Sequence, residues 1–471
     1  MAVKPGFLPD PNGSQNLASE SRDMTLTLVP ESLIVGTVTL PTSEAPDSIS
    51  LQIFRRQVQD GRAQWLPAGG AQSRSDGQFR FAGLAAGTYK LLTQELLDRD
   101  PLTFSPLGPL FGYPPVYYQS APDFASASTI QLTAGQTVQV NVSLVRQPYY
   151  RVKVPVLDAP TNGLNVNVYA GERGPGFSLG YNNEEHAIEG LLPNGSYTID
   201  AVAFGPNGAF GRQTIHIKGG AVNGPSLAMV PNASIPVSVK EEFTSADHTV
   251  SMSWNINGRN MVLKGPRRYL NVSLEPADDF RMQGGASLRV PTGPGDEALV
   301  IEGATAGRYW VRVSSSRGYA ASVRSGNLDL LHEPLVLGVG GAASPIEITM
   351  RDDVAEITGL VEGLGSGGGK EDGTTSFGGL VGQAGARVYC IPLPDSSGQF
   401  NEIYVSPDGS FQAMGLAPGE YRLLAIDRVQ PELEFRNPEA MQPYDSKGVV
   451  VHLVGGQKEH VQLPLISAKE E

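Results

Sequence analysis

The chain has one cysteine in 471 residues, Cys390, which excludes an intramolecular disulfide framework and any cysteine-built zinc site. It sits in the apolar run "ARVYCIPL", where a buried, inert thiol is expected. Charged residues are sparse at 18%, and the balance is acidic, −13 overall. An acidic chain repels a polyanion at long range, which argues against nucleic acid as a partner. No run approaches the ~20 apolar residues of a membrane-spanning helix. The first ten residues, "MAVKPGFLPD", lack the apolar stretch of a secretory signal. Helical periodicity is almost absent, with one or two turns expected at "NPEAMQPY" (437–444). What the chain has instead is turn formers, 56 Gly and 36 Pro.

Between the turns the pattern steps by two. "LIVGTVTL" (33–40), "TVQVNVSL" (137–144), "LNVNVYA" (164–170), "ASIPVSVK" (233–240) and "IEITM" (346–350) alternate or run β-branched, bounded by Gly, Pro, Asn and Asp. This is an all-β chain. One element recurs four times, a Gly followed by a turn and a Tyr: Gly83 to Tyr89, Gly190 to Tyr197, Gly303 to Tyr309 and Gly415 to Tyr421. The glycine supplies a positive φ for the reversal. The Tyr can bury its ring and return its hydroxyl to the turn, as at the tyrosine corner of sandwich domains. These eight residues are read as structural corners. "IVGTV" (34–38) and "ITGLV" (357–361) match as first strands, and "IQLTAGQTVQVNVSL" (130–144) and "VVVHLVGGQKEHVQLPL" (449–465) match as late hairpins turning at Gly-Gln.

The expected architecture is therefore a tandem array of four antiparallel β-sandwich domains of prealbumin-like or Ig-like type, at 29–146, 147–231, 232–351 and 352–466. Few residues separate one unit from the next. Residues 1–28 form an N-terminal tail, in which 24–29 reads as the closing strand of an upstream unit. On that reading Met1 is not the natural start and a signal peptide could lie further upstream. The alternative is a strand added to the first sandwich.

First strand "I-x-G-x-V", then "D-G-x-F-x-x-x-G-L-x-x-G-x-Y", then a closing Gly-Gln turn resemble carboxypeptidase regulatory-like domains, grouped with prealbumin-like, CnaB-type and starch-binding-like sandwiches. The resemblance covers 29–146 and 352–466 well, 147–231 in part, and 232–351 little beyond "EGATAGRY". It implies an extracytoplasmic (secreted, periplasmic or cell-surface) bacterial protein whose modules act as spacers or binding surfaces, and confers no peptidase activity. Carbohydrate or an extracellular protein are the partners it suggests, with self-association also open.

Candidate chemistry is thin. "HAIE" (186–189) has the His-x-x-Glu spacing of zinc carboxypeptidases, but on a strand residues three apart face opposite sides and do not chelate one ion. "GFSLG" (176–180) matches Gly-x-Ser-x-Gly without the strand-turn-helix that a nucleophile elbow needs. The six His are dispersed, although His452 and His460 could face each other across one hairpin. CnaB-type Lys–Asn isopeptide bonds lack their parts: Asn141 and Glu95 find no Lys in "LIVGTVTL", "EITGLVEGL" has none, and Lys153 has no Asn partner. No catalytic residue, metal site or cofactor is assigned, and the chain is read as a non-enzyme.

Two loops exceed what a corner requires. The first, 96–128, carries Phe111, Tyr113, Tyr117 and Tyr118 among six prolines. It either displays these aromatics to a ligand such as a sugar ring, making those four the candidate binding residues, or folds them back over an open sandwich edge. The second, 427–448, is mixed in charge and reads as a solvated loop, a docking surface or a weak Ca²⁺ site. A Gly-rich tract, 362–379, reads as a mobile loop. The sequence thus points to a spacer, adhesion or ligand-presenting module. A carbohydrate-binding protein, or the accessory C-terminal part of an enzyme or transport protein whose main domain lies upstream, are the alternatives.

Overall fold

The computed structural model describes residues 4–9, 28–41, 48–98, 110–121, 123–159, 163–170, 176–204, 208–245, 252–256, 259–278, 285–291, 296–340, 344–363, 385–394, 396 and 398–467. The fold is all-β, four β-sandwiches in series, and its one α-helix among the described residues is the single turn Pro438–Met441. The chain divides into two compact units. The first comprises Met1–Gln57 and Gln64–Asn232, the second Val58–Ala63 and Ala233–Glu471.

Ser50–Gln59, Arg62–Gln72, Gly87–Thr93 and Ile130–Leu132 make one sheet of the first sandwich, which belongs to the first unit except for Val58–Ala63 at the tip of the hairpin. Ser32–Thr39, Gln78–Leu84 and Thr137–Ser143 make the other. Ser32–Thr39 is buried at every second residue, as its alternating sequence requires. The second sandwich sets Gln147–Leu157 and its neighbours against Asn165–Ala170, Gly195–Ala203 and Ala209–Ile217. In the second unit, the third sandwich is built on Ala233–Glu242, and the fourth on Ala355–Glu362. Each sandwich closes over its own apolar interior, typified by Ile34 and Leu91, Val154 and Ile199, Ile235 and Val272, and Ile357 and Leu423.

The four Gly-to-Tyr elements share one geometry. Tyr89, Tyr197, Tyr309 and Tyr421 are all buried. Each hydroxyl donates to the carbonyl four residues earlier: Ala85 at 2.7 Å, Pro193 at 3.1 Å, Thr305 at 3.0 Å and Ala417 at 2.7 Å. Gly83, Gly303 and Gly415 take φ of +67°, +80° and +76°, a region costly for any residue with a Cβ. The first-strand glycines have another cause. Gly36 lies opposite Phe79 and Gly359 opposite Phe411 in antiparallel register. A Cβ at either position would run into that phenyl ring and into the carbonyl of Val140 or Val461 on the other side. The glycine of "I-x-G-x-V" and the phenylalanine of "D-G-x-F" are thus cross-strand partners, the ring lying over the missing side chain.

The expected late hairpins need correction. Antiparallel pairs dominate, but the first strand of each sandwich pairs in parallel with a late one: Ser32–Thr39 with Thr137–Ser143, Gln147–Leu157 with the short Val222–Asn223 and Leu227–Ala228, Ala233–Glu242 with Ile346–Arg351, and Ala355–Glu362 with Lys458–Ile466. Accordingly the "late hairpins" are crossovers between layers. Ile130–Leu132 pairs with Gly87–Thr93 and Val449–Leu453 with Gly419–Ile426, while the strand after each Gly-Gln joins the opposite layer. The glutamine shapes the crossover, its side-chain oxygen accepting the Thr133 N–H (from Gln136, 2.8 Å) and the Val454 N–H (from Gln457, 2.9 Å). His452 and His460 therefore do not face each other; His452 lies 3.7 Å from Glu420, and His460 contacts Thr358.

At the N-terminus, Leu28–Pro30 pairs with Phe7–Pro9 as a separate two-stranded ribbon, and residues 24–27 of the expected closing strand lie outside the described residues. So does 364–379, nearly all of the Gly-rich tract.

Candidate functional site

The described parts of the aromatic loop, 96–98, 110–121 and 123–128, turn inward; 99–109 and 122 lie outside the described residues. Its segment Leu110–Tyr113 pairs antiparallel with both Gln147–Leu157 and Leu96–Leu97, extending the sheet of the second sandwich and carrying Phe111 and Tyr113 with it. Both are half-buried, and Arg146 stacks over the Phe111 ring at 4.1 Å. Tyr117 is 3% exposed and meets Phe124 edge to face, as do Phe54 and Trp65. The ammonium of buried Lys90 caps this cluster, 4.6 Å over Phe124 and donating to its carbonyl at 2.6 Å. Tyr118, half-buried, packs against the first core. None of the four stands out as an open stacking platform.

The remaining sequence candidates are held by local partners. His186 precedes its strand in a left-handed conformation and meets Tyr181, while Glu189 pairs with Lys153, so the two ends of "HAIE" serve different contacts. Among the described residues no three His, Cys, Asp or Glu side chains are grouped to hold a metal ion. No helix follows Ser178 in "GFSLG"; its N–H donates to Glu95 at 2.8 Å. Burial pushes the Glu95 carboxyl up to about 7. Asn141 accepts instead from the Thr37 N–H at 3.3 Å. Burial likewise pushes the Cys390 thiol up to about 12, leaving it unreactive.

The second unit holds a cavity of about 740 Å³ that the sequence did not single out. Its walls come from Gly307–Ser315 of the third sandwich, from Arg387–Pro392 and Gly419–Ile426 of the fourth, and from the 427–448 segment, with Asp60 and Arg62 completing the rim. The lining carries four arginines, Arg62, Arg312, Arg422 and Arg436, against two aspartates, Asp60 and Asp445. In a chain of net charge −13 this is a local surplus of positive charge. Asp60 is the hub: Arg62 (3.3 Å), Arg312 (3.1 Å) and Arg436 (3.2 Å) converge on its carboxylate, and Arg312 also donates to Glu275 at 3.0 Å. Burial and the neighbouring Arg436 push the Arg62 guanidinium down to about 10, against the pull of Asp60. The Arg62 plane covers Trp310 at 3.6 Å. Behind it Tyr389, Phe400 and Phe435 form a column, the last two stacked at 4.0 Å, and Gly61 lies so close to Phe435 that a Cβ would sit 2.6 Å from the ring.

The frame around this cavity is tied at the joint between the third and fourth sandwiches. Asp352 accepts the backbone N–H of Thr244 (2.7 Å) and of Ser245 (3.0 Å), and both hydroxyls. Burial works to raise its pKa, but these four donors win and hold it well below the usual carboxylate range. Asp353 links both sides, accepting from the Tyr319 hydroxyl (2.9 Å) through its side chain and from the Gly456 N–H (3.1 Å) through its carbonyl.

No protein-family model matches the chain, and no curated protein matches it. Solved structures similar to it include the Bacillus anthracis TIE protein, at 8% identity over 96% of this chain and 76% of that one, with a TM-score of 0.16. The major pilin subunit of Bacillus cereus is 8% identical over 92% of this chain and 99% of its own, TM-score 0.15. Two B repeat units of the collagen binding protein of Staphylococcus aureus are 10% identical over 86% and 94%, TM-score 0.15. Overlaps this loose bear on neither role nor ligand. Among the described residues no helix is long and apolar enough to cross a membrane.

Proposed function

We propose that the chain is a non-enzymatic, extracytoplasmic β-sandwich protein that works as a semi-rigid spacer and ligand-presenting module. The observation that supports this best is the tied joint of the second unit. Only Asp352, Asp353 and Val354 separate the strand Ile346–Arg351 from Ala355–Glu362, and the two aspartates spend their oxygens on both neighbours. A linker this short, with its polar groups committed, turns two sandwiches into one frame and keeps the cavity walls at a fixed spacing. The resemblance of the first and fourth sandwiches to carboxypeptidase regulatory-like domains supports the placement outside the cytoplasm.

The test is a distance measurement. Spin labels placed at exposed Val336 and Tyr404, in a Cys390→Ala background, should give one narrow distance distribution by double electron–electron resonance. Asp352→Ala, which releases Thr244 and Ser245, should broaden it. A broad distribution in the parent chain, or no change in Asp352→Ala, would remove the basis for a stiff presenting frame.

A further inference from the structure

We propose that the seam between the first and second sandwiches is a proton-operated latch: Glu95 holds the segment 176–178 while its carboxyl is protonated and releases it when the carboxyl ionises. The device lies within the first unit and is separate from the tied joint of the second.

Two hydrogen bonds close the seam. The Glu95 N–H donates to the Gly176 carbonyl at 3.3 Å, and the Ser178 N–H donates to Glu95 Oε1 at 2.8 Å. Packing beside them is close, since a Cβ on Gly176 would sit 2.7 Å from the Pro115 ring. Ser178 is exposed at the outer lip, so this segment can lift without unpacking a core. Glu95 Oε2, by contrast, is buried and makes no hydrogen bond among the described residues.

That oxygen decides which protonation state the closed seam accepts. A neutral carboxyl keeps the Ser178 bond at Oε1 and carries its proton on Oε2. A carboxylate buried there has a charge to satisfy and no partner at Oε2, which favours opening to water. The titratable groups facing it are the phenols of Tyr149, from Gln147–Leu157, and Tyr197, from Gly195–Ala203. Burial, and then Glu95 itself, raises both above the ordinary phenol range, and neither brings positive charge. The Tyr197 hydroxyl is spent on the Pro193 carbonyl, and Asp98, on the Glu95 segment, holds Arg146 at 2.8 Å.

The direction of the response follows. Burial pushes the Glu95 carboxyl up to about 7 in the closed seam, against the ordinary 4.5 it regains in water, so closing takes up a proton. This support for closure is fully present below about pH 4.5 and is lost as pH rises through about 7. Between those limits the open fraction grows about tenfold per pH unit.

The experiment is hydrogen–deuterium exchange of the full chain, followed by mass spectrometry from pH 5 to pH 8 and corrected for the intrinsic pH dependence of exchange. Protection of peptides covering 176–182 should fall on the order of fifty- to a hundredfold and level off above about pH 7. Peptides from 195–203, in the core of the second sandwich, should keep theirs. Glu95→Gln mimics the protonated carboxyl and still accepts the Ser178 N–H, so it should stay protected throughout. A flat profile in the parent chain, an equal fall in Glu95→Gln, or a fall shared by every peptide of the first unit would overturn the latch. The parent profile decides the matter by itself where the variant does not fold.

Discussion

The corner hydrogen bond can be removed without disturbing the ring. Tyr421 is 0% exposed, and its hydroxyl donates to the Ala417 carbonyl at 2.7 Å while accepting the Gln399 N–H at 3.3 Å. Tyr421→Phe keeps the aromatic packing and strands both backbone groups. The carbonyl partner is short, and leaving a buried acceptor without its donor costs about 1–3 kcal/mol; the 3.3 Å bond is weaker and adds little. Because each sandwich has its own core, a single unfolding free energy for the chain is poorly defined. The readout should be local. Hydrogen–deuterium exchange followed by mass spectrometry on the whole chain should show peptides from 410–426 and 449–466 losing protection by roughly 5- to 150-fold, the equivalent of that energy. Peptides from 87–93 of the first sandwich should be unchanged. In Tyr197→Phe, where the bond is 3.1 Å, the loss should fall toward the lower end and appear in the second sandwich. Unchanged exchange in the fourth sandwich of Tyr421→Phe would show that the hydroxyl is an accessory of the ring. Equal acceleration in every sandwich would show that the four cores do not open separately.

Gly359→Ala and Gly415→Ala should separate two uses of glycine. At Gly415 a Cβ meets nothing within 4 Å, so only the left-handed φ of +76° opposes it, about 1–2 kcal/mol. At Gly359 the Cβ collides with the Val461 carbonyl and the Phe411 ring, and overpacking there should cost more, ~3 kcal/mol; a larger fall in thermal midpoint for Gly415→Ala would contradict this. Glu95 should make the first unit pH-sensitive. Burial raises its carboxyl from the ordinary 4.5 to about 7, so the folded chain holds a proton that the unfolded chain releases. Its contribution is fully present below about pH 4.5 and is lost as pH rises through about 7. Urea unfolding of Glu95→Gln should therefore lose that decline between pH 5 and 8, and an unaltered slope would count against it.

How much of this was legible depends on how local each cause is. The corners could be read because glycine, turn and tyrosine lie within eight residues, and the bond closes over four. The strands could be read because burial alternates along Ser32–Thr39 as its residues do. Pairing could not be read the same way. A Gly-Gln turn between two alternating runs looks like a hairpin, and only the position of Ser32–Thr39, a hundred residues away, shows that Thr137–Ser143 crosses to the other layer to lie parallel to it. The aromatic loop posed the same difficulty: whether Tyr117 faces solvent is decided by Phe124, Trp65 and Lys90, which its own neighbours in sequence do not reveal.

The cavity was the least legible because nothing in its chemistry is consecutive. Arg62, Arg312 and Arg436 meet only through Asp60, and each sits in a stretch that by itself reads as an ordinary strand or charged loop. The 427–448 segment did carry a signal, mixed charge beyond what a corner needs, and it supplies Phe435, Arg436, Met441 and Asp445 to the site. What its composition could not say is which charges are spent internally. Asp445 and Arg436 look alike as surface charges in the sequence, yet one holds the Arg422 head in its exposed position and the other is committed to Asp60. The cavity's charge is set by pairing across distant segments, four guanidinium groups against the carboxylates of Asp60, Asp445 and Glu275, rather than by a motif.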